Sequence, residues 1–248
     1  MPSQDSFYGL SEPASALTDR RPGDVIAIRP FELAWVPGFD AGELKAWQIA
    51  YVTSDEHAVK QRTVTTIIVP PNASYDKVVA IGSKTDAAVP DCRTSYGFRR
   101  DGDSRFSLLS EFLFMDPFLR DGAIVNVPDY MGGKDAFGSK GVAGRAMLDS
   151  LRAVIKAESS LGFPTRTDAT HPKMALYGYS AGAQAVFSAA EVQQKYAPDL
   201  NTHIVGYTGG GLPVKLADCA RHVDGSYAAG LIIGMLAGLV SRWLKQYE

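Results

Sequence analysis

The residues best suited to chemistry in this chain lie in Gly178-Tyr179-Ser180-Ala181-Gly182. The apolar run Met174 to Tyr177 leads into them, and an alanine-rich, helix-forming stretch, Ala183 to Ala190, follows. A serine flanked by glycines two positions to either side, between a strand and a helix, has the layout of a nucleophile elbow. Such a turn holds the serine in a strained backbone conformation, and glycines on either side let neighbouring chain pass close by. The helix that follows directs its unpaired N-terminal N–H groups at the same point, so an oxyanion formed beside Ser180 Oγ would meet the Ala181 N–H. The five-residue pattern alone arises by chance in glycine-rich chains. The strand before it and the helix after it give it meaning.

Other elements must place that serine. Lys45 to Thr53 alternates Trp47, Ile49 and Tyr51 with polar neighbours, and Thr63 to Val69 is β-branched throughout; the two predict antiparallel strands. Val78 to Ile81 and Ala123 to Val127 read as strands buried on both faces. Phe106 to Phe118 predicts a helix interrupted near Pro117. Glycines 132, 133, 138, 141 and 144 loosen the entry to a crossover helix, where Ala143, Met147, Leu151 and Val154 mark three to four turns. A Pro/Thr/Asp-rich loop, Phe163 to Pro172, precedes the elbow strand. The helix after Ser180 should run to Tyr196, before Pro198, and Ile204 to Tyr207 makes one more strand. Strands alternating with helical crossovers specify an α/β fold with a mainly parallel sheet, and ligands bind at the carboxyl ends of such strands. Asp86, Asp129, Ser180 and Gly209 to Gly211 all follow those ends and are expected to converge.

With 248 residues the chain has room for one α/β domain. A net charge of −2 without a long Lys/Arg run argues against nucleic acid or an anionic membrane as partner. Met1 to Asp5 does not have the form of a secretory signal. Cys92 and Cys219 permit one disulfide, and Asn72-Ala73-Ser74 is a glycosylation sequon. Residues 1–30 are expected to lay an extended segment over the domain. The apolar, glycine-punctuated run Ala228 to Val240, followed by Arg242-Trp243-Leu244-Lys245, is too short to span a bilayer. It reads either as a buried core helix or as a mobile apolar lid over a lipid-binding cleft. No cofactor and no metal are expected.

Several pieces together resemble the secretory triacylglycerol lipases of fungi, the α/β-hydrolase group typified by Candida lipase A. They are Asp5-Ser6-Phe7-Tyr8, Pro22 to Ile26, Asp91-Cys92 with Ser95-Tyr96, the glycine-rich entry to the crossover helix, the elbow, Lys195 to Asn201, and Gly209 to Val214. They span nearly the whole chain in the family's order. The resemblance implies an α/β-hydrolase core over residues 31–212 and the start of an apolar cap over 213–248. It also implies an extracellular enzyme of lipid catabolism, a carboxylic ester hydrolase that cleaves acyl esters, chiefly triacylglycerols, at a lipid–water interface through a Ser-His-Asp triad. Ser180 matches the nucleophile. Ala181 stands where the family has a glycine donating one oxyanion N–H, and Asp86 matches the second oxyanion-hole residue. Cys92 matches a cysteine that the family pairs with a later one, and Cys219 is the only partner in this chain.

In this fold the acid and the histidine follow the nucleophile, on loops behind two further strands. Only 68 residues follow Ser180 here, and a helix, a strand and the apolar run use them up. His203 falls at the start of its strand, roughly 13 Å from the active edge at ~3.3 Å per residue. His222 lies beyond the strand with nothing to hold it, and His57 and His171 precede the elbow. The chain is therefore expected to end before the family's Asp and His, to lack the last strands of the sheet, and to be weak or inactive alone. Two other functions remain open: a short-chain carboxylesterase or acyltransferase of the same fold, and a pseudo-hydrolase that binds lipid.

Overall fold

The computed structural model describes residues 1–34, 36, 38–40, 42–102, 105–164 and 172–244. Seven strands form one sheet in the order β1-β2-β3-β5-β4-β6-β7. Its antiparallel half is β1 (Val25–Pro30), β2 (Lys45–Ser54) and β3 (Lys60–Val69). β2 and β3 pair without a break from Lys45↔Val69 to Ser54↔Lys60. The hairpin between them closes on Asp55, whose Oδ1 accepts the His57 and Val59 N–H groups at 2.9 and 3.0 Å. The expected extended segment at Val25 is in fact an edge strand of the sheet, paired antiparallel with β2.

The parallel half is β4 (Lys77–Gly82), β5 (Ile124–Pro128), β6 (Lys173–Tyr179) and β7 (Ile204–Gly210). On one face lie the short α1 (Thr94–Gly97) and α2 (Arg105–Arg120), where Phe98, Phe112, Met115 and Leu119 cover Ile68, Val79 and Val125. α3 (Lys140–Ala157) and α4 (Ala181–Tyr196) cover the other with a larger core that includes Met147, Leu151, Val154, Met174, Leu176 and Val186.

Two helices differ from expectation. α2 runs uninterrupted through Pro117. Pro117 and Leu113, whose carbonyl loses its helical donor, both lie on the exposed face, where water can replace the bond. α3 is 18 residues long, about five turns, because Gly141 and Gly144 belong to it. A Cβ on Gly144 would stand 2.6 Å from the Ser188 carbonyl of α4, so this glycine lets the two helices approach closely and does not loosen the chain.

Beyond β7, α5 (Leu216–Val223) leads to α6 (Gly230–Leu244). Met235 and Gly238 seat α6 on the Phe137–Gly138 turn, while Leu231, Ile233, Leu236 and Val240 are exposed. α6 is thus half-covered. Among the described residues no helix is long and apolar enough to cross a membrane. Cys92 and Cys219 are free thiols. Most of the loop expected over 163–172, with His171, lies outside the described residues, as does Lys245.

Candidate active site

Parallel pairing aligns the ends of the central strands. Gly82 of β4 stands opposite Gly178 of β6, and Gly178 opposite Gly209 of β7. Ser180 follows at the tip of the strand-to-helix turn, half-buried, with φ 55° and ψ −121°. A positive φ is unfavourable for a residue with a side chain. Two contacts hold it: the Ser180 N–H donates to the Gly210 carbonyl at 3.0 Å, and the Ser180 carbonyl accepts the Gln184 N–H at 3.1 Å, opening α4. The N–H groups of Ala181, Gly182 and Ala183 therefore precede the first helical bond and have no carbonyl to accept them within the helix.

Glycine at 182 is required by close approach. A Cβ there would lie 1.8 Å from the Gly82 carbonyl oxygen, and one on Gly178 would lie 2.4 Å from the Gly182 backbone. The start of α4 is thus wedged against the end of β4, which brings the loop carrying Asp86 beside the elbow. Asp86 is exposed as a residue, yet protein atoms around its carboxyl push its pKa up, against the pull of the Lys84 ammonium.

The loop before Asp86 is tied from several sides. Ser83 is buried, its hydroxyl bonds the Thr94 hydroxyl at 2.8 Å, and its carbonyl accepts the Tyr130 hydroxyl at 2.7 Å. Thr85 also bonds Thr94. The Lys84 N–H donates to Oε1 of Glu111 in α2 at 3.0 Å. Burial pushes the Glu111 carboxyl pKa up, the Lys84 N–H and ammonium oppose that shift, and the neighbouring Asp86 charge adds to it. α2 reaches the elbow as well: Phe114 stacks on Tyr179, with centroids 5.5 Å apart and planes 17° apart.

Glu111, Phe114, Tyr130 and Thr94 were not among the residues singled out in the sequence. Glu111 carried one usable signal, a charge in step with Phe114 and Phe118 at helical spacing. Asp129 behaves differently from its sequence neighbours in role. It is buried, accepts the Ser95 N–H at 3.0 Å and the Ser95 hydroxyl at 2.5 Å, and faces the core.

The histidines are dispersed. His57 is in the β2–β3 hairpin and His222 on α5, both exposed. His203 immediately precedes β7, roughly 23 Å from that strand's carboxyl end at ~3.3 Å per residue. Among the described residues no group of His, Cys, Asp and Glu is arranged to hold a metal ion.

Comparison with known proteins gives this geometry a family. The Secretory lipase family model matches residues 103–245, more than half of the chain. The chain belongs to the secretory lipase family. It is 36% identical over 244 residues to Lipase 2 of Candida albicans, covering 97% of this chain and 50% of that protein. It is 32% identical over 247 residues to Secreted triacylglycerol lipase LIP1 of Malassezia furfur, covering 99% of this chain and 48% of the relative. The crystal structure of Candida antarctica lipase A in its closed state superposes with a TM-score of 0.81 at 28% identity, over 97% of this chain and 53% of that one. The sheet and its flanking helices are thus an α/β-hydrolase fold. This secretory lipase chain spans about half the length of the curated relatives it matches.

Proposed function

We propose that Ser180 is the nucleophile of an acyl-ester hydrolase, most directly a triacylglycerol lipase acting outside the cell, and that Ala181 and Asp86 supply its oxyanion hole. Ser180 Oγ would attack the ester carbonyl carbon and pass its proton to a general base. The carbonyl oxygen, now an oxyanion, would take hydrogen bonds from the Ala181 and Asp86 N–H groups. Collapse would expel the alcohol and leave an acyl-enzyme for water to cleave. The observation that carries this reading is the positive φ of Ser180 at the head of α4, since such strain persists only where surrounding structure enforces it. The name of the Malassezia furfur relative supports the substrate class and the extracellular setting.

By the same reading residues 31–212 form the hydrolase core and 213–248 the start of an apolar cap, with α6 as the surface that meets lipid. The positions of His57, His203 and His222 support slow turnover by this chain alone. Without its base a triad serine loses on the order of 10⁴ to 10⁶ in rate. The same positions favour a second reading, a pseudo-hydrolase that binds lipid. A fluorophosphonate probe with mass spectrometry separates the two. Slow labelling at Ser180, absent from Ser180→Ala, is the expected result; fatty-acid binding with no labelling even on prolonged exposure would favour the binding protein. Hydrolysis of nitrophenyl esters of increasing chain length then distinguishes a lipase from a short-chain esterase or acyltransferase.

A further inference from the structure

Glu111 is a carboxylate on a helix face that otherwise packs Phe112, Met115 and Leu119 into the core, and it is only 6% exposed. Placing a carboxylate there costs stability unless hydrogen bonds or an ion pair compensate. The bond it makes is to a loop backbone, the Lys84 N–H at 3.0 Å, two residues before Asp86. One turn along the same helix, Phe114 stacks on Tyr179, the residue before Ser180, and the Lys84 ammonium lies 5.2 Å from the centre of the Phe114 ring. A single rigid element therefore touches both halves of the site, the loop through Glu111 and the elbow through Phe114. Thr94 and Tyr130 hold Ser83 and Thr85 through their side chains and one carbonyl, but Glu111 is the group that holds the Lys84 N–H.

We propose that Glu111 is a positioning residue for the acyl-transfer site: by accepting the Lys84 N–H from α2, it fixes the Asp86 N–H relative to the Ser180 hydroxyl. The inference rests on the Ser180 and Asp86 assignment above. A donor displaced by a fraction of an ångström loses much of its hold on the oxyanion, and misplacement near 1 Å costs on the order of 100-fold.

The test is the rate at which a fluorophosphonate labels Ser180 in wild type and in Glu111→Gln, Glu111→Asp and Glu111→Leu, with thermal unfolding of each. Gln retains an acceptor at the same reach, so Glu111→Gln should label within about threefold of wild type, well short of the loss from a misplaced donor. Asp withdraws the carboxylate by one methylene and Leu removes it. Both should slow labelling by about tenfold or more, including in any variant whose melting temperature matches that of Glu111→Gln. If Glu111→Leu does not fold, the Asp and Gln pair decides. Equal labelling in all folded variants would overturn the inference and leave the Ser180 assignment standing. A wild-type protein that does not label would overturn that assignment, and the positioning role with it.

Discussion

Asp86 and Asp129 follow the carboxyl ends of β4 and β5, parallel neighbours in the sheet, and share one sequence signature: a buried apolar strand, a short exit, an aspartate. The structure gives them opposite surroundings. Asp129 is enclosed, with both Ser95 donors on its carboxyl and its backbone tied to Val64 and Thr63. Beside it Tyr8 bonds Gln48 and Ser95, and the Arg93 guanidinium grips Asp135 at 2.7 and 3.0 Å. Asp86 is exposed, and it is the backbone before it that is pinned. The contrast shows how one sheet edge can be sealed under one strand and left open under the next: where side chains from distant segments reach the carboxylate it becomes a brace, and where they stop one residue short it stays available.

The largest expected effect lies on the sealed side. Arg93 is 3% exposed and its partner Asp135 5%. Replacing Arg93 with Met would leave the Asp135 carboxylate buried without its cation, which typically costs about 3–5 kcal/mol. Urea unfolding should show that loss; a change below about 1 kcal/mol would mean that the pair behaves like a surface ion pair and that the brace is elsewhere.

Half of this contrast was legible in the sequence. Period-two and all-apolar runs located β2 to β7 and helical spacing located α3, because burial on one or both faces imposes those patterns directly; the alanine-rich run after the elbow located α4 through helix propensity. Ser180 was legible because its turn needs a distinctive local sequence. The fate of Asp129 was not, since it depends on Ser95, Tyr8 and Arg93, residues far from it along the chain. Glu111 was hidden for the same reason: its partner is a backbone N–H 27 positions away. α6 stayed ambiguous because an apolar glycine-rich helix looks the same whether one face or both are covered.

A second, smaller effect is in pH dependence. Burial raises the Asp129 pKa from 3.8 to about 6, opposed by Arg93 and the Ser95 bonds. A carboxyl whose pKa is higher folded than unfolded favours folding most when protonated. Its contribution is therefore lost as pH rises from about 4 to about 6 and is constant above. The difference in unfolding free energy between wild type and Asp129→Asn should fall by on the order of 3 kcal/mol across that window. Taking the difference cancels Asp149, a second buried carboxyl raised to about 6. A flat difference would show that Asp129 stays charged and that the β5 end is less sealed than its geometry indicates.

The smallest effect is expected at Asp86, and it would sharpen the comparison most. The residue is exposed, so Asp86→Ala should change stability by no more than about 0.5 kcal/mol. The proposed oxyanion donor is the backbone N–H, which alanine retains, so labelling of Ser180 should escape the roughly 100-fold loss that follows removal of such a donor. What should change is its dependence on pH. The surroundings of the Asp86 carboxyl raise its pKa, against the pull of Lys84. As pH climbs through that value, a negative charge appears next to the place where an oxyanion must form, and it disfavours the second charge. The ratio of the Asp86→Ala rate to the wild-type rate should therefore rise with pH until the carboxyl is fully ionised and then level off. A ratio independent of pH would place the carboxylate too far from the developing charge to matter. A large loss at low pH that disappears as the carboxyl ionises would instead make the protonated side chain the donor, and Asp86, like Asp129, a residue defined by its carboxyl.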